Sequence, residues 1–168
     1  MSIPIKIKID YRNSEWLKGI ALKNLGIENI NQLRDRFEGQ SYLNAFLVKS
    51  YSELALEKFL QVVIVDKKVK ETQKNYSPHI VFNNFSVNLI AFTVGNFPKI
   101  TKMKFDVGIF ACVNLESKTV EFLGFQDYKT ILELSDPFLL SPIQSNLYNG
   151  VIKDFTNLRG MDELFIIH

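Results

Sequence analysis

Tyr76-Ser77-Pro78-His79-Ile80, then Val87-Asn88-Leu89-Ile90-Ala91-Phe92-Thr93-Val94, then Gly95-Asn96-Phe97-Pro98-Lys99-Ile100 make up the stretch whose reading decides the fold. Pro78 disfavours helix for the residue before it and opens an extended segment. A short polar turn separates that segment from an apolar run, residues 87–94, long enough for a central strand. Gly95-Asn96 reads as the turn that ends it. The stretch therefore predicts a β-hairpin followed by a basic connection.

Strand-like runs continue towards the C-terminus at residues 107–114 and 119–125, joined by the turn Leu115-Glu116-Ser117-Lys118. Their near-continuous apolar character predicts strands buried on both faces. A helix is expected over 127–134, then an irregular segment marked by Asp136-Pro137 and Ser141-Pro142. Asn157 is the expected cap of a final helix carrying Leu158, Met161, Leu164 and Phe165.

Towards the N-terminus, Ile3-Pro4-Ile5-Lys6-Ile7-Lys8-Ile9 alternates as a half-exposed edge strand. Asn13 or Ser14 is the expected cap of a helix bearing Trp16, Leu17, Ile20, Ala21 and Leu25, and Gly26 stops it. A short helix over 29–37 would turn Ile30, Leu33 and Phe37 inward, and Glu38-Gly39-Gln40 reads as a break. Residues 41–60 carry the clearest helical period, through Leu43, Phe46, Leu47, Leu54 and Phe59. Residues 62–65 suggest a short strand and residues 66–77 a polar, lysine-rich loop.

Helices first, strands in the middle and helices last predict an α/β (α+β) fold with a central mixed sheet flanked by helices. At 168 residues, 46% apolar with 14 Phe, the chain has material for one domain over residues 1–168. No apolar run reaches the roughly 18 residues of a membrane helix. The Ile/Pro/Lys start is not a signal peptide, so no membrane partner and a cytoplasmic location are expected. The lone Cys112 excludes an internal disulfide and a cysteine-based zinc cage. It reads as a buried thiol.

The net charge of +2 excludes little. Two local groups say more: Lys67, Lys68, Lys70 and Lys74 in one segment, and Lys99, Lys102 and Lys104 in another. Such groups suit phosphate contacts, or are solvated loops. Phe82, Phe85, Phe92 and Phe97 are core residues or a base-stacking platform. Lys49, Glu53 and Glu57, four apart, read as a charge ladder on a solvated helix face.

Three stretches resemble the PD-(D/E)XK, restriction-endonuclease-like, nuclease superfamily. Ser52-Glu53-Leu54-Ala55-Leu56-Glu57-Lys58-Phe59-Leu60 is similar to the family's early helix with its active-site glutamate. Pro78-His79 stands where a Pro-Asp pair would begin the first core strand. Residues 87–93 stand where the next strand would carry an acid, any residue, then lysine. The resemblance implies a restriction-endonuclease-like domain, a DNA partner, Glu53, His79 and Asn88 at the catalytic positions, and Lys67, Lys68, Lys70, Lys99, Lys102 and Lys104 as nucleic-acid contacts. It also suggests a homodimer, since such domains often pair to address two strands.

The departures bear on chemistry. Magnesium prefers carboxylate oxygens and in phosphodiester hydrolysis polarises the phosphate and acidifies the attacking water. Here an imidazole and a neutral amide replace two acids, and Ile90 stands where the lysine belongs; Lys99 or Lys102 could supply it from elsewhere, and Asp66 an acid if its loop folds back. A second acid pattern, Asp106 with Glu116-Ser117-Lys118, falls in a turn that should face water. No resident cofactor is expected, with magnesium the metal if cleavage survives. Three functions stay open: a DNA-associated nuclease-fold protein with weakened or lost cleavage, an active magnesium-dependent endonuclease with a rearranged site, and a protein-interaction module.

Overall fold

The computed structural model describes residues 3–35 and 38–167, the side chains of residues 34 and 35 excepted. Strand β1 (Ile5–Lys8) alternates half-buried and exposed side chains as an edge strand should. Helix α1 (Tyr11–Asn24) follows it. Its cap is Asp10, whose carboxylate accepts the Asn13 N–H at 2.7 Å. The expected caps Asn13 and Ser14 instead lie inside the helix, because the carboxylate three residues earlier already satisfies the free N–H. Leu17, Ile20 and Ala21 form the buried face, and Gly26, at φ +70°, ends the helix in the left-handed conformation.

A 3-10 segment, Ile30–Asp35, replaces the expected second helix. Leu33 is buried there, Ile30 is exposed, and Phe37 lies outside the described residues. Helix α2 (Gly39–Leu60) begins earlier than its period suggests. Glu38 makes the break by itself, at φ 63°. From Ser50 to Leu56 every residue is buried, so this half lacks a solvated face.

Residues 62–65 form no strand. The Ile64 and Val65 N–H groups both donate to the Glu57 carboxylate, at 2.8 and 2.9 Å, which removes them from strand pairing. The expected loop over 66–77 contains helix α3 (Lys67–Thr72). Asp66 caps it, accepting the Val69 N–H at 3.1 Å.

The decisive hairpin forms as β2 (Ile80–Phe82) and β3 (Phe85–Thr93), antiparallel with Ile80 opposite Val87 and Phe82 opposite Phe85. Asn83 and Asn84 take φ 49° and 65°, the paired left-handed geometry that asparagine tolerates in tight hairpins. Strands β4 (Lys99–Thr101), β5 (Val107–Asn114) and β6 (Thr119–Asp127) follow, then helix α4 (Tyr128–Leu134) and strand β7 (Tyr148–Val151). The final helix is a 3-10 segment, Met161–Ile166, with Met161 and Leu164 buried.

The fold is mixed α/β, with a five-stranded mixed sheet in the order β1-β6-β5-β3-β2 and a separate β4-β7 pair. The coarse class and the two hairpins follow from sequence; β4 forms in what reads as a basic connection, and β7 lies between the irregular segment marked by Asp136-Pro137 and Ser141-Pro142 and the final helix, where no strand is expected. No described helix is long and apolar enough to cross a membrane.

The chain divides into two compact units. The first comprises Met1–Lys6, His79–Cys112 and Glu121–His168. Its core gathers Ile90, Phe92, Ile100, Phe105, Phe110, Ile131, Ile152 and Leu158. Phe155 stacks on Phe92 at 5.6 Å and meets the edge of Phe110 at 5.9 Å. Each such ring contributes roughly 1.5–3 kcal/mol through burial. Gly124 has φ +141°, and a Cβ there would collide with the Arg159 carbonyl oxygen. Next to it Phe125 and Arg159 exchange two backbone hydrogen bonds, at 3.0 and 2.9 Å. The second unit comprises Ile7–Pro78 and Val113–Val120. Here α1 packs on α2, and the buried Ser14 and Tyr51 hydroxyls lie 2.7 Å apart.

Candidate nucleic-acid interface

In the first unit, β3 and the β4-β7 pair line an open groove of about 340 Å³. Asn88 and Lys99, singled out in sequence as a motif position and a replacement lysine, both line it, with Phe97, Thr101 and Tyr148. Asn88 is half-buried on β3, and its amide has no hydrogen-bond partner among the described residues. Phe97 keeps 47% of its surface exposed, so it is not the core residue its run of apolar neighbours suggests. Phe92, by contrast, is in the core.

Local pairing sets this geometry. Lys99 pairs with Val151 and Ile100 with Gly150, but an irregularity brings Thr101 opposite Tyr148. The skipped residue, Asn149, donates its side-chain amide to the Thr101 carbonyl at 3.0 Å. Gly150 has no room for a side chain, since a Cβ would meet Ser135 and Asp136 at about 3 Å. The Lys99 ammonium lies 5.7 Å from the centre of the Tyr148 ring, and Lys153 lies 5.4 Å from that of Phe97. The ammonium groups cover these ring faces as the chain stands; when the lysines turn to phosphates, the exposed Phe97 and half-exposed Tyr148 rings are freed as faces on which bases can stack. Lys102 and Lys104 are also exposed in this unit.

His79 is exposed, immediately before β2. Carrying the β2-β3 register one step past Ile80–Val87 aligns His79 with Asn88. Asp106 accepts the Ser86 N–H at 2.7 Å and returns its own N–H to Ser86, so it braces a strand connection. Glu116 is exposed in the β5-β6 turn, as its position predicts, but Lys118 is only half-exposed, with its ammonium 5.2 Å from the centre of the Tyr11 ring.

In the second unit Glu53 is 2% exposed. Its Oε2 lies 3.5 Å from Lys70 Nζ, and both side chains are almost wholly removed from water. This corrects the solvated ladder expected of Lys49, Glu53 and Glu57. Lys49 is exposed, Glu53 is ion-paired inside, and Glu57 holds the chain at 64–65. Burial pushes the Glu53 carboxyl up, against the pull of Lys70 and Lys49. Burial likewise pulls Lys70 down, against Glu53. Lys70 therefore does not share the surface of Lys67 and Lys68, which are exposed. Lys67 sits 5.6 Å over the Trp16 ring. Asp66 is spent on capping α3.

Glu53, His79 and Asn88 fit magnesium poorly. The one carboxylate is committed to Lys70, and an imidazole and a neutral amide are weak ligands for a hard cation. Among the described residues no three His, Cys, Asp or Glu side chains gather as metal ligands. Cys112 is half-buried, and burial raises its thiol. Tyr148 and Lys153 escaped the sequence reading because only the long-range β4-β7 pairing brings their segment to the groove. Comparison with protein-family models, curated proteins and solved structures found no match.

Proposed function

We propose that the chain is a DNA-associated protein of restriction-endonuclease-like fold in which metal-dependent cleavage is weakened or lost. The observation that carries this reading is the groove where Asn88 and Lys99 lie with exposed Phe97 and half-buried Tyr148. Aromatic faces flanked by lysines suit nucleic acid better than a small metabolite. The succession of α2, the β2-β3 hairpin and the β5-β6 hairpin supports the nuclease ancestry. The commitment of Glu53 to Lys70 supports the loss of cleavage, since it leaves no free acid of the original pattern. Lys99, Lys102 and Lys104 are the phosphate contacts of the first unit, and Lys67 and Lys68 those of the second. A cytoplasmic protein, paired as a homodimer to present two grooves, completes the proposal.

The test is DNA affinity as a function of salt, with plasmid nicking in magnesium or manganese as the companion assay. Affinity that falls steeply with salt, without nicking, is the expected result. Nicking at catalytic protein concentrations would favour the active endonuclease. Salt-independent or absent binding would favour a protein-interaction module. A specific feature supports that second reading: Phe138, Ile143 and Leu147 are 93%, 78% and 62% exposed within one segment.

A further inference from the structure

The second unit holds a cavity of about 290 Å³ that the nuclease outline does not account for. Its wall includes Tyr42, Phe46, Lys49, Ser50, Lys70 and the exposed Lys74. Just below the roughly 300–1,000 Å³ of small-molecule sites, it suits only a compact ligand.

Its chemistry is unbalanced in one direction. Three lysines line it, and one carboxylate, Glu53, pairs with Lys70 from outside the lining. Lys70 is 4% exposed and sits 4.9 Å from the Phe46 ring centre. Its contact with Glu53, at 3.5 Å, is long for a charge-assisted bond, which is ordinarily about 2.7–2.9 Å. The buried ammonium is therefore only partly compensated. Ser50 is 1% exposed, and its hydroxyl has no hydrogen-bond partner among the described residues. A buried hydroxyl left unpaired costs stability and calls for an explanation. The Tyr42 and Tyr76 hydroxyls accept N–H groups from Asn24 and Asp66, at 3.0 and 2.9 Å, and each retains its own proton to donate.

We propose that this cavity is a binding site for a phosphoryl group, held by Lys49, Lys70 and Lys74 and by the Ser50 hydroxyl. A phosphate fits better than a carboxylate because it offers more acceptor oxygens and more negative charge to a set of several donors. It would supply the acceptor that Ser50 lacks and the second anionic partner that Lys70 lacks. The site is separate from the groove of the first unit, so its success or failure is independent of the DNA-groove reading.

Titration of the full chain with inorganic phosphate, followed by calorimetry and by amide resonances of residues 42–76, tests this. Acetate and sulfate serve as controls. Lys70→Met would leave Glu53 buried and unpaired, so the variants are Ser50→Ala and Lys74→Ala, each checked for native circular dichroism. Saturable phosphate binding, weakened roughly tenfold by Ser50→Ala and severalfold by Lys74→Ala, is expected. Acetate binding as tight as phosphate, unchanged affinity in Ser50→Ala, or no saturation would each overturn the site. A further pair of titrations, with 5′-phosphorylated and 5′-hydroxyl oligonucleotides, separates sources. Stronger perturbation of residues 42–76 by the phosphorylated strand assigns the phosphoryl group to a nucleic-acid end. Equal effects alongside saturable inorganic phosphate assign it to a small free phosphate ester.

Discussion

Glu53 on α2 and Lys70 on α3 face each other at 3.5 Å with almost no access to water. A buried pair contributes little net stability over an apolar one, yet each partner depends on the other. Removing Lys70 strands a carboxylate, and removing Glu53 strands an ammonium. Lys70→Met or Glu53→Leu alone is expected to lower unfolding free energy by about 3 kcal/mol, while the double variant returns to within about 1–2 kcal/mol of the parent. Urea unfolding of the four proteins measures the cycle. Additive single effects would show that the two side chains are not coupled.

The same pair makes stability depend on pH. Burial raises the Glu53 carboxyl above its ordinary value of 4.5. In that window the folded protein binds more protons than the unfolded chain, so this group's contribution falls as pH rises through it. Glu53→Gln removes that contribution. The stability difference between parent and variant is expected to shift in favour of the variant as pH rises from the ordinary value of 4.5 through the raised Glu53 value. Parallel pH profiles of the urea midpoints would contradict it. The lowered Lys70 value acts with the opposite slope, gaining stability as pH rises through it.

Gly124 cannot carry a side chain. Its φ of +141° suits glycine alone, and a Cβ would meet the Arg159 carbonyl and, at 2.8 Å, the Leu158 Cβ. Backbone cannot swing aside as a flexible side chain can. Gly124→Ala is expected to destabilise the first unit by on the order of 3 kcal/mol. Hydrogen exchange at Phe125 and Arg159, whose backbone groups bond to each other, should rise with the loss. Unchanged protection would count against the collision.

In the groove, Phe97→Ala and Lys99→Ala separate stacking from charge. Phe97→Ala is expected to weaken single-stranded DNA binding by about 1–3 kcal/mol with the salt slope unchanged. Lys99→Ala should reduce the slope by about 1. Fluorescence anisotropy across a salt series distinguishes the two. An identical slope in Lys99→Ala would remove that lysine from the phosphate contacts.

The elements that were legible are those whose cause is local. The β2-β3 hairpin follows from Pro78, two turn asparagines and an apolar run, all within residues 78–94. The β5-β6 hairpin follows from two apolar runs around Leu115–Lys118. Where a nearby competitor decided, the reading slipped. Asp10 outcompeted Asn13 for the cap, and Glu57 drew two N–H groups away from a strand at 64–65. The candidate site was half visible. Asn88 and Lys99 were singled out, but Tyr148 enters only by pairing opposite Thr101 of β4, and no local period announces that.

The amino-acid order by itself determined an α/β chain with a central run of strands and a long helix over most of 39–60. Only the tertiary structure decided which way Glu53 and Lys70 point, that Phe97 stays wet while Phe92 is covered, and that the Ser50 hydroxyl has no partner among the described residues. Helix and turn preferences act over a few neighbouring residues. Burial and pairing depend on segments far apart in the chain meeting at one place, and the free energy of a charge or hydroxyl is set by that meeting rather than by its neighbours in sequence.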